Sequence, residues 1–117
     1  MKTLAMATLI AAVTTPAYAQ ETRYENAQSF ITEYKDGSNI YARLYIRGVG
    51  EGLSWYNSFV ATAGGGKPAF CEPEKLGLVD GQYVAMMRQF LIKYPTTKTM
   101  PPPLVLLYAL KDTFPCP

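Results

Sequence analysis

Between Asp80 and Tyr94 the apolar residues Tyr83, Val84, Met87, Phe90, Leu91 and Tyr94 recur at steps of one and three. In an α-helix this spacing gathers side chains on one stripe, whereas a half-buried strand would alternate. Asp80 is read as the N-cap of this helix. Pro95 ends it, because the residue before a proline is pushed away from helical geometry. No stretch of useful length elsewhere alternates polar and apolar residues. The fold class expected is therefore all-α, a small domain of four helices.

The other three helices follow from the same pattern. Phe30, Ile31 and Tyr34 form a small stripe in a polar stretch, predicting a short first helix that ends at Asp36-Gly37. Ser38 is read as the N-cap of a longer helix whose apolar positions are Tyr41, Leu44, Tyr45, Val49, Leu53, Tyr56 and Val60. Gly48, Gly50 and Gly52 interrupt it, each costing up to about 1 kcal/mol relative to alanine. Gly48 and Gly52 stand four apart, so the expectation is that they share a face and admit another helix backbone. Pro101-Pro102-Pro103 leads into a last helix, Leu104 to Phe114, since proline is tolerated in a first turn where its missing N–H would be unpaired anyway.

The amino-terminal residues set the compartment expected for this domain. Lys2, the short apolar run Leu4 to Val13 and Ala17-Tyr18-Ala19 read as a signal peptide over residues 1–19, cleaved between Ala19 and Gln20. The run is too short to span a bilayer, which takes about 20 apolar residues, so no membrane attachment is expected after cleavage. Residues 20–117 then form a single domain of modest core. Without Lys2 it carries ten Lys or Arg against nine Asp or Glu, interleaved along the chain, and nothing in that pattern suggests nucleic acid.

Export would deliver Cys71 and Cys116, the only two cysteines, to an oxidising compartment. An intramolecular disulfide is the default, and closing a separation of 45 residues is worth about 4 kcal/mol in the chain-entropy model. A reactive thiol or a metal pair is the alternative. With no histidine and no third cysteine, two thiolates alone do not close a zinc site, so no metal and no cofactor is expected.

The absence of histidine also removes the usual general base near neutral pH. Glu72 and Glu74 are the nearest thing to a catalytic carboxylate pair, but Pro73 between them suggests a rigid turn with two solvated acids. Glu51, four residues after Arg47, is expected to form a surface ion pair with it. No catalytic residue is assigned. Gly64-Gly65-Gly66-Lys67 is read as an exposed loop and not a phosphate loop: Ala61 stands where the first glycine belongs, and Pro68 follows the lysine. Most of the tyrosines are assigned to the core. Arg43, Arg47 and Trp55 are the helical positions where a partner-binding role is retained.

Tyr45-Ile46-x-Gly48-Val49, Phe70-Cys71-x-Pro73, Gln82 with the Phe90-Leu91 helix ending at Tyr94-Pro95, and Phe114-Pro115-Cys116-Pro117 form an ordered series over roughly residues 40–117. This series resembles the Rap/Tai immunity family of type VI secretion. The resemblance implies a periplasmic, all-helical protein that binds a secreted toxin, a peptidoglycan amidase, and blocks its active site. It also implies a structural disulfide between Cys71 and Cys116 and a homodimer, dimers being common in the family. The chain departs from the family pattern at Ala42, where many relatives carry a further cysteine, and at Val79, where a threonine cap is common. Binding would come from a few anchors and a loop, Gly64 to Lys67, entering the toxin's cleft. Two other classes stay open: a small periplasmic chaperone or stress protein without a dedicated effector, and a cell-wall enzyme for which no carboxylate site can be assembled.

Overall fold

The structure, a computed structural model, describes residues 24–73 and 77–117. The expected signal segment with its Ala19–Gln20 cleavage point, and Glu74, lie outside the described residues. Among the described residues there are four α-helices and one 3-10 helix, with no strand. They are α1 (Ala27–Tyr34), α2 (Ile40–Thr62), α3 (Asp80–Lys93), the 3-10 helix Pro95–Thr99, and α4 (Pro102–Thr113). The all-α, four-helix architecture is the one the periodicity predicts.

Local hydrogen bonding decides where each helix begins. Asn26 caps α1: its Oδ1 accepts from Ser29 N at 2.9 Å while Ser29 Oγ accepts from Asn26 N at 3.2 Å, a reciprocal capping box. The cap of α2 is Asn39 and not Ser38. Asp36 Oδ1 accepts from Ser38 N, holding Ser38 in the preceding turn, and Asn39 Oδ1 takes the N–H groups of Tyr41 and Ala42. Likewise α3 is capped by Val79, whose N–H donates to Gln82 Oε1 at 2.9 Å, so Asp80 becomes the first helical residue and its side chain is released for a tertiary role. At the end of α1, Tyr34 is the last helical residue, two short of the expected Asp36-Gly37, and Gly37 takes a φ of 92° that favours glycine.

α3 packs most extensively on α4 and next on α2, and α1 closes one end of the bundle against the 3-10 helix. The first turn of α1 is tied there directly, Ala27 N donating to Met100 O at 2.8 Å. Phe30, Ile46, Phe70, Met87, Leu106 and Leu110 are fully buried and carry the core. Of the predicted α3 stripe, Tyr83, Val84, Met87, Phe90 and Leu91 are buried, and only Tyr94, beyond the helix end, is exposed.

α2 differs from its predicted face. Its buried line is Ala42, Ile46 and Gly50, spaced four apart, with Tyr45, Val49 and Leu53 leaning on the core beside it. Tyr41, Leu44 and Tyr56 point to solvent. The periodicity placed the stripe by its largest side chains, but a helix seated close to α3 needs small ones at the contact. Gly50 shows this directly: a Cβ there would overlap the Tyr83 ring. Close packing is thus the role of Gly50, not of Gly48 and Gly52, which are exposed and have nothing within 4 Å of where a Cβ would stand. The tyrosines also correct the expectation that most of them belong to the core: Tyr24, Tyr34 and Tyr83 are buried, Tyr45 is half-buried, and Tyr41, Tyr56, Tyr94 and Tyr108 are exposed.

Candidate functional site

The glycine-rich segment emerges from the carboxyl end of α2 and every residue from Ala63 to Lys67 is exposed. It begins as a continuation of the helix, Gly64 N donating to Phe59 O at 2.8 Å and Gly66 N to Val60 O at 3.0 Å. Gly65 takes a φ of 65°, the conformation that turns the chain out of the helix. The far side of the loop is clamped by one side chain. Asn57 Oδ1 accepts from Ala69 N at 2.6 Å and Phe70 N at 3.3 Å, while its Nδ2 donates to Phe70 O at 2.7 Å. Phe70 is buried as an apolar plug just after.

The next residue is bridged. Cys71 and Cys116 form a disulfide with Cα atoms 4.9 Å apart, and Cys71 N donates to Phe114 O at 2.8 Å beside it. The loop base is therefore fixed by three independent devices: a side-chain clamp, a buried aromatic and a covalent link to the chain after α4. A tip of glycines and one lysine stands on this base with no ordering left to be done at its foot.

At the other end of α2 a polar network crosses three helices. Tyr34 on α1 donates from its hydroxyl to Asp80 Oδ2 at 2.7 Å, and Arg43 on α2 reaches the same oxygen from Nε at 3.3 Å. Asp80 is 8% exposed and Tyr34 4%. Burial first, then the hydrogen bond to Asp80, pushes the Tyr34 hydroxyl up to about 12. The Tyr34 hydrogen bond and the Arg43 charge hold the Asp80 carboxyl below its ordinary value, outweighing burial, which pushes it up. This is structural chemistry: the three groups satisfy one another.

The sequence-predicted binding residues therefore separate. Arg43 is committed to Asp80. Arg47 and Trp55 lie on the solvent side of α2, Trp55 77% exposed, and Gly64 to Lys67 form the loop beyond its end. Arg43 and the loop stand about 30 Å apart, from the rise of about 1.5 Å per helical residue. Among the described residues the ion pairs are Arg43–Asp80 and Lys93–Asp112, so the expected Arg47–Glu51 pair does not form. Sequence reasoning missed Asn57 and Tyr34. Neither carries a local signal, because each acts through a partner at least twelve residues away.

Phe90 and Tyr108 stack with planes 6° apart and, with Tyr94 and Met100, line the apolar part of a groove of about 510 Å³ whose polar lining is Thr97, Lys111 and Asp112. Glu72 is half-buried. Among the described residues no three His, Cys, Asp or Glu side chains are grouped to hold a metal, and no helix is long and apolar enough to cross a membrane. No family model, curated protein or solved structure matches this chain.

Proposed function

We propose that this chain is an exported immunity protein of the periplasm, which binds a type VI secreted peptidoglycan amidase and blocks its active site by inserting the Gly64–Lys67 loop. The observation that carries this reading is the pre-organised loop: an exposed Gly-Gly-Gly-Lys tip on a base held by Asn57, Phe70 and the Cys71–Cys116 bridge. A loop already ordered at its base gives up less conformational freedom on binding, and that saving appears as affinity. Glycines let the tip follow a narrow cleft, and Lys67 adds a cation for a carboxylate inside it. The resemblance to the Rap/Tai family over residues 40–117 supplies the class of partner.

The test is capture. Oxidised residues 20–117 are immobilised and exposed to the secreted and periplasmic proteins of the source cell, and bound proteins are identified and assayed on purified peptidoglycan. A single dominant amidase, lost when Gly65→Glu and Lys67→Glu are introduced together, supports the reading. A broad set of unfolded proteins supports the chaperone alternative, which the exposed Leu44, Trp55, Tyr56 and Phe59 side chains favour.

A further inference from the structure

Glu51, Ser54 and Trp55 stand three and four residues apart on α2, so they share one stretch of its surface. They line a cleft of about 430 Å³ that Glu72 and Leu78, from the chain between the loop and α3, and Tyr83 of α3 complete. Glu72 directly follows Cys71, which places this cleft beside the base of the Gly64–Lys67 loop.

The cleft is negative, and its acids have no cation. Among the described residues the ion pairs are Arg43–Asp80 and Lys93–Asp112, so neither Glu51 nor Glu72 is paired. Both carboxylates bear on one buried group, the hydroxyl of Tyr83, a residue 3% exposed. Burial raises the pKa of that hydroxyl most and a hydrogen bond with Ser54 opposes it; Glu72 and Glu51 then raise it further, ahead of the opposing charge of Arg47. Two acids thus converge on one point, and Arg47 does not cancel them there.

Trp55 supplies the other half of the site. It is 77% exposed, and among the described residues no ring packs against it and no cation lies over it. An open indole face beside two carboxylates suits a flat cation that stacks on the ring and donates to the acids from its edge. A guanidinium has this shape, with its N–H donors fixed in one plane, whereas an ammonium is a compact, strongly hydrated point charge. A hard divalent ion takes about six oxygen ligands, and among the described residues no third acid joins these two to supply them.

We propose that the cleft between α2 and the start of α3 receives an arginine side chain of a protein partner, stacked on Trp55 and paired with Glu51 and Glu72. Its place beside the loop base makes that partner the one the loop enters, a step that rests on the proposed function. An arginine at the rim of the amidase cleft then meets Trp55 once the loop is seated.

Trp55 is the single tryptophan of the chain, so its emission reports on the cleft directly. The oxidised protein is titrated at low ionic strength with acetyl-arginine amide, acetyl-lysine amide or acetyl-citrulline amide. The arginine probe should shift the emission saturably with a Kd in the millimolar range. The lysine probe should bind at least about threefold more weakly, and the citrulline probe, planar but uncharged, should not saturate. Glu51→Gln and Glu72→Gln together should weaken the arginine probe at least about tenfold, with unchanged far-ultraviolet circular dichroism. Equal responses to arginine and citrulline, tighter binding of lysine than of arginine, or a response indifferent to the two substitutions would overturn the proposal. In inhibition of a captured amidase the double variant should bind about tenfold more weakly, and unchanged inhibition would overturn the placement of the arginine on that enzyme. Binding of the arginine probe by a protein that captures no amidase would refute the proposed function and leave the arginine cleft standing.

Discussion

The Tyr34 hydroxyl donates to Asp80 Oδ2 at 2.7 Å and so fastens the end of α1 to the first turn of α3, with Arg43 of α2 on the same carboxylate oxygen. Three helices meet at one buried charge, and removing any member strands the others. Tyr34→Phe deletes a hydrogen bond to a charged acceptor and should lower stability by about 2 kcal/mol. Asp80→Ala should cost more, about 3 kcal/mol, since it leaves a buried hydroxyl unsatisfied and removes a negative charge from a helix N-terminus. Urea denaturation of both single variants and the double variant should give a coupling of about 1–2 kcal/mol. Simple additivity would show that the contact contributes nothing.

The same network sets how stability varies with pH. Asp80 has a folded value below its unfolded one, so its contribution is complete above about pH 4 and is lost as the pH falls through the folded value. Tyr34 has a folded value raised from 10.0 to about 12, so its contribution is complete below pH 10 and is lost as the pH rises toward 12. Wild type should therefore exceed Tyr34→Phe in stability near neutrality, and the gap should narrow from about pH 9 to about pH 11 by on the order of 1 kcal/mol. A gap constant across that range would contradict the assignment.

Gly50 and Gly48 differ only in what faces them. Gly50→Ala brings a methyl into the Tyr83 ring and should destabilise by about 1–3 kcal/mol despite the gain in helix propensity. Gly48→Ala, at a position with open space around it, should instead stabilise by up to about 1 kcal/mol. Equal effects in thermal melts would remove the distinction between a packing glycine and an open one.

Much of this fold was legible in the sequence. The Asp80–Tyr94 periodicity, the proline stop at Pro95 and the proline entry at Pro102 all correspond to elements, and the cysteines pair. What misled was size. On α2 the large residues Tyr41, Leu44 and Tyr56 suggested the core face, while the contact with α3 needs the small residues Ala42 and Gly50. Caps were displaced by one residue for a related reason: Ser38 and Asp80 are good caps in isolation, but Asp36 and Tyr34 engage them first. The candidate loop was legible from Gly64 to Lys67. Its Asn57 clamp was not, because a half-buried asparagine on a helix looks like any other polar residue until its distant partner is known.

Asn57→Ala should release that clamp. Three hydrogen bonds to Ala69 and Phe70 are lost, and amide exchange at Ala69 should rise toward that of an open loop. Global stability should fall by only about 1–3 kcal/mol. Protection at Ala69 unchanged from wild type would show that Phe70 and the disulfide hold the loop without it.

The bridge itself is accessible, as both Cys71 and Cys116 are exposed. Cys116→Ser, or reductant added to the native protein, should cost about 2–5 kcal/mol, equivalent to a fall of roughly 10–25 °C in thermal midpoint for a domain of this size. Identical midpoints with and without reductant would defeat that expectation.

The proposed function requires that a loop held rigid at its base occlude an amidase. Its most direct test is a stoichiometric titration of the oxidised protein into a peptidoglycan amidase captured from the secreted proteins of the same cell, with cleavage of purified cell wall as the readout. Activity should fall linearly and reach zero at one equivalent of loop, and the Gly65→Glu, Lys67→Glu protein should not inhibit. Undiminished amidase activity in the presence of excess wild-type protein would contradict it.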